Sequence, residues 1–128
     1  MARLALIAAA GAAGSVIRYG VSVWAAGLTA ALPLGTFLVN SIGSFLLAVL
    51  MRVGLQTPLF SENVRLALSV GLLGGFTTYS SFNYETLEYL RRGHYGIAWL
   101  NVGLTVAGCL AAGAAGLAAG DAIAARIS

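Results

Sequence analysis

The chain has 128 residues, of which 59% are hydrophobic and only 9% charged, with a formal net charge of +3. Soluble domains carry about 25% charged residues, so a water-soluble globule is excluded, and a mean hydropathy of +0.90 points to lipid as the solvent. All seven cations are arginines, scattered singly apart from Arg91 and Arg92, which excludes a basic stripe for nucleic acid; the single Cys109 excludes an internal disulfide.

Four segments offer the roughly 20 mostly apolar residues that a membrane crossing needs, so one transmembrane domain is expected over 1–128. The first crossing is expected over 4–28. Its start, MARLALIAAAGAAGS, also has the pattern of a signal peptide, and cleavage would leave three spans with Arg18 and Tyr19 just after the cut. The second is expected over 34–52, after Pro33. The third covers 64–90 and follows QTPLFSEN, and the fourth covers 96–120 and follows RRGHYG. His94 falls in that last connection, alone, where a solvated side chain is the reading. No Cys/His cluster has metal-ligand spacing, and nothing in the chain argues for an enzyme.

Charge does not orient these crossings. Arg3, Arg52, Arg65 and Arg126 fall on one side, and Arg91, Arg92 and Arg18 on the other. The rule that sets membrane orientation depends on an imbalance of such residues. A chain this even can insert both ways, which permits an antiparallel dimer. Small residues suggest where helices touch: Gly108, Ala112, Gly116 and Gly120 recur every fourth residue in the fourth span, and Gly71 and Gly75 do so in the third.

The third crossing holds an unusual stretch, GLLGGFTTYSSFNYE, from Gly71 to Glu85. Gly74 and Gly75 are poor helix formers and Thr77 and Thr78 are β-branched, so the helix is expected to break over 74–79. Exposed to lipid, each freed backbone group would cost several kcal/mol. Broken helices therefore persist in membranes only where protein, a watery cavity or an ion satisfies them. The alternative is an intact helix whose glycines serve close packing and whose hydroxyls bond back to i−4 carbonyls. Beyond the break, Tyr79 and Phe82 share a face that Glu85 and Tyr89 continue. Aromatic edges carry partial positive charge and can face an anion without a fixed cation. Glu88 and Arg92 read as a solvated end pair. In the second span Asn40, with Ser41 and Ser44, places an amide near the apolar middle; Asn101, Thr105 and Cys109 form a four-step row in the fourth. Arg18 reads as a side chain snorkelling to an interface.

GAAGSVIRY, GTFLVNSIGSFLLAVL and above all GLLGGFTTYSSFNYET resemble, in order and spacing, the CrcB/Fluc fluoride channels of microbes, over nearly the whole chain. The resemblance implies an all-α, multi-pass protein of the cell membrane with four transmembrane helices, the third broken near its middle. It also implies a dual-topology antiparallel homodimer with two parallel pores that expel fluoride passively from the cytoplasm. Gly74 and Thr77 would offer backbone carbonyls to a structural Na⁺ between the subunits. Asn40 would donate hydrogen bonds to fluoride, and Phe82 would line the pathway with its ring edge. Thr78, Ser81, Glu85 and Thr105 would mark polar positions along it, with Cys109 on the same fourth-helix track. Arg18 matches the first-helix arginine. Two positions depart from the pattern: Tyr79 stands where a first phenylalanine is expected, and Asn101 where relatives can be aromatic.

A lysine fixed in the pore would hold fluoride too tightly for release, and this chain has none. Two other functions compete. A proton-coupled exporter of the small multidrug resistance type also has four short helices and dual topology, but it needs a glutamate in the first helix, and no acid precedes Glu62. A structural membrane subunit would use the same polar residues only to join helices.

Overall fold

Helix α1 spans Ala2–Ala26 and helix α2 Leu34–Gln56 in a computed structural model that describes residues 1–28 and 32–127. Helix α3 (Glu62–Leu66) passes directly into a π-helical turn over Ala67–Leu73 and a short α4 over Gly74–Phe76. Helix α5 (Tyr79–Arg91) and the long α6 (Tyr95–Ile127) complete an all-helical chain. Helices α1, α2 and α6 are each long and apolar enough to cross a membrane.

Local chemistry explains the boundaries. Thr57 is extended because a residue before proline is steered out of the helical region, and α2 ends there. Ser61 caps α3 by accepting from the Val64 N–H at 3.4 Å. At the end of α5, Gly93 takes φ +78° and its N–H donates to the Leu90 carbonyl, while His94 N–H donates to the Tyr89 carbonyl at 2.8 Å. That is a Schellman stop, which a glycine permits at no steric cost. Helix α6 continues past the expected end at Gly120 to Ile127, because Asp121 is held by Arg52 and Gln56 of α2 and the residues beyond it are good helix formers.

Two parallel helix pairs build the bundle. Gly71 of the π turn packs on Ile7 and Ala10 of α1, and Gly75 on Gly11, so α1 and the α3–α5 segment run the same way. Gly108 faces Phe37, Gly116 faces Phe45 and Ala48, and Gly120 faces Val49 and Arg52, so α2 and α6 run together. A methyl group at Gly71 would lie 2.7 Å from the Ile7 carbonyl oxygen, and one at Gly120 2.6 Å from the Arg52 Cβ. Backbones this close gain dispersion contacts that lipid tails do not supply. At one end Arg3 links α1 to Glu62 and Asn63 of α3. Toward the other end the exposed large side chains include the aromatics Tyr19, Trp24, Tyr84, Tyr95 and Trp99, beside the aliphatic Val23, Leu28 and Leu87. At the Arg3 end they are aliphatic, including Leu4, Leu6, Leu55, Leu59, Ile123 and Ile127.

Candidate functional site

Helical geometry stops at Phe76 and resumes at Tyr79. Between them Thr77 (φ −79°, ψ 157°) and Thr78 (φ −152°, ψ 116°) are extended. Side chains from α1 and α2 meet the backbone there. In a continuous helix the Thr78 N–H would reach the Gly74 carbonyl; here it donates to Asn40 Oδ1 at 2.7 Å. The Ser81 N–H, which would reach the Thr77 carbonyl, donates instead to the Thr78 hydroxyl at 3.2 Å, making Thr78 the N-cap of α5. Gly74 and Thr77 thus lose their customary donors and their carbonyl oxygens are released from the ladder.

Neighbouring groups are tied down. Asn40 Nδ2 donates to the Thr78 carbonyl at 2.9 Å, so its amide grips one residue's N–H and carbonyl and keeps a single N–H in reserve. Arg18 Nε donates to the Gly75 carbonyl at 3.0 Å. The arginine expected to snorkel is instead turned onto the interrupted backbone, where a charge-assisted bond replaces the missing helical one. The Thr77 hydroxyl bonds back to Leu73 at 2.9 Å, as the intact-helix alternative requires of a hydroxyl, but it does so at the last turn before the interruption.

Two cavities flank this point. One of about 400 Å³ is lined by Asn40, Gly74, Thr77, Thr78, Tyr79, Phe82, Thr105 and Cys109, together with Ser44 and Ser69. The Tyr79 and Phe82 rings stand 5.7 Å apart at 58° in its wall. Thr105 is buried there and its hydroxyl has no hydrogen-bond partner among the described residues. The other, about 640 Å³, is lined by Arg18, Ser81, Glu85, Tyr89, Thr36 and Ser22 among others. Glu85 accepts a 2.6 Å bond from the Thr36 hydroxyl through Oε1, while its buried Oε2 has no partner among the described residues. The residues singled out in the sequence therefore divide into two groups with the Thr77–Thr78 interruption between them. Glu88 pairs with both Arg91 and Arg92 at 2.7 Å, at the end of α5.

A model of the family described as CrcB-like protein, camphor resistance (CrcB), matches residues 5–117. The chain belongs to the CrcB-like family. Among its relatives, a protein of Anaeromyxobacter dehalogenans is 50% identical over 113 residues, covering 88% of this chain and 90% of its own. One of Geobacter sulfurreducens is 44% identical over 120 residues (93% and 97%), and one of Sorangium cellulosum is 43% identical over 118 (91% and 93%). Each of the three is named a fluoride-specific ion channel, FluC.

In this CrcB-like chain two polar partners were missed from the sequence. Thr36 is buried on Glu85, and Thr86 bridges Asn101 and Phe82. Thr36 carried a readable signal, because Thr36, Asn40 and Ser44 recur every fourth residue and share one face of α2. Thr86 carried none beyond its hydroxyl.

Proposed function

We propose that this chain is a fluoride-selective channel of the cell membrane, through which fluoride leaves the cytoplasm passively. The observation that supports it best is the pairing of an interrupted helix with an anion-friendly cavity. Phe82, Tyr79, Asn40 and Thr105, whose hydroxyl has no partner among the described residues, all border one space. Fluoride is small and strongly hydrated, so a conducting pore must replace its water with donors that bind without trapping. No lysine is available to trap it. The names of the relatives point the same way.

On this reading the segment Glu62–Arg91 forms a third crossing, interrupted at Thr77 and Thr78, and two copies of the chain pair in opposite orientations with two parallel pores. A structural Na⁺ between the copies fits the donor set. Gly74 and Thr77 offer hard carbonyl oxygens withdrawn from the helical ladder, and Gly74 is uncrowded, a Cβ there meeting only the Ser69 carbonyl at 3.7 Å. Bound there, the cation would supply positive charge that neutralises carbonyl dipoles in lipid. Asn40, Thr78, Tyr79, Phe82 and Thr105 would line one part of the fluoride route, and Ser81 and Glu85 a second, with Arg18 holding the interruption from α1. The exporter alternative has no support in α1, which holds no acid.

Efflux from proteoliposomes tests this. Fluoride should leave without a proton gradient while chloride is retained, and replacing Na⁺ with a larger cation should weaken the assembly or its conduction. Proton-coupled drug exchange, or no flux at all, would refute the channel; indifference to the cation would reject the carbonyl site.

A further inference from the structure

Asn101 shares a four-step row with Thr105 and Cys109, yet the fold separates it from them. Thr105 and Cys109 line the 400 Å³ cavity; Asn101 does not. It is 4% exposed, and it borders a void of about 60 Å³ beside Pro33 and Phe37. Its Nδ2 donates to the Thr86 hydroxyl at 2.9 Å, and that hydroxyl donates its one proton to the Phe82 carbonyl at 2.8 Å. We propose that Asn101 is a positioning residue, which holds Phe82 in the cavity wall through Thr86 and does not meet the conducted ion. The proposal rests on the reading of Phe82 as part of the fluoride pathway.

Helix α5 is held largely by polar ties. None of its residues is fully buried, so apolar packing within the chain does little to fix its roll about its own axis. Three polar ties fix it: Asn40 to Thr78, Thr36 to Glu85, and Asn101 to Thr86. The first two reach α2; the third alone reaches α6. Removing it frees the face that carries Phe82 and Tyr79 to turn, and aromatic edges serve an anion only when aimed at it. A bulky ring at this position would wedge α5 and α6 by volume. An asparagine does so by donating a hydrogen bond.

The test uses the full chain in lipid, with para-fluorophenylalanine at Phe82 as a fluorine NMR probe and fluoride efflux as a second readout. Asn101→Leu and Thr86→Val should each shift or broaden the Phe82 resonance and lower efflux by about 3–10-fold, the worth of one hydrogen bond. Thr86→Ser, which keeps the hydroxyl, should retain both signals. The double variant should be no slower than the slower single, because both changes break one relay. Thr86→Val keeps the side-chain shape and carries the test should Asn101→Leu not fold. An unmoved resonance in Thr86→Val, or additive losses in the double variant, would overturn the proposal. So would an efflux loss in Asn101→Leu with the Phe82 signal unchanged, since Asn101 would then act on the ion directly. If the wild-type chain moves no fluoride, the channel reading fails while the resonance still decides the relay.

Discussion

Replacing Asn40 with alanine removes two bonds from the backbone of one residue, Nδ2–H to the Thr78 carbonyl at 2.9 Å and Thr78 N–H to Oδ1 at 2.7 Å. The N–H is the more exposed to loss, because Thr78 is extended and its N–H has left the helical ladder for Asn40. One net hydrogen bond contributes about 1 kcal/mol and an orphaned buried N–H costs about 1–3 kcal/mol, so Asn40→Ala should destabilise the chain by about 2–4 kcal/mol. Ser44→Ala is the control: its hydroxyl bonds only the Asn40 carbonyl, at 2.7 Å and within α2, and its loss should cost under about 1 kcal/mol. Denaturant unfolding in mixed micelles, followed by the fluorescence of Trp24 and Trp99, reports both. Asn40→Ala no more damaging than Ser44→Ala would refute the view that this amide lashes the interrupted backbone. Lost fluoride efflux at unchanged stability would assign the amide to the ion instead.

Two further substitutions probe the pathway and the packing. Phe82→Ile should abolish fluoride efflux while leaving a folded protein, as the aromatic ring vanishes but volume largely stays; unchanged flux would remove Phe82 from the pore. Gly71→Ala should destabilise by about 1–3 kcal/mol through overpacking on α1, whereas Gly103→Ala, with nothing within 4 Å, should be neutral or slightly stabilising in the same unfolding assay. Equal effects at the two glycines would show that the close approach of Gly71 to Ile7 carries no energetic weight.

Hydropathy and punctuation were legible because they act locally. Pro33, Pro58 and Gly93 mark ends that a reader can place to within a few residues. The weakness around Gly74–Thr78 was legible too, since poor helix formers lie next to one another there. What satisfies that weak point was not. Asn40 and Arg18 lie 38 and 57 residues from their backbone partners, and no periodicity encodes such pairings. The π-helical turn over Ala67–Leu73 left no trace in composition: ALSVGLL would suit an α-helix equally well. The surroundings of Asn101 were hidden for a related reason. Four-residue spacing assigns it the face of Thr105, but over one turn the neighbouring α5 changes what that face meets.

The lopsided distribution of exposed tyrosine and tryptophan bears on how the molecule rides in its bilayer. Indole and phenol rings settle at the headgroup boundary, so a lone copy would be moored by such rings at one leaflet and not at the other, where the exposed large apolar side chains among the described residues are aliphatic. Two copies facing opposite ways would moor both leaflets with identical hardware. Such a pair should respond symmetrically to bilayer thinning or thickening, and a pair facing the same way should not.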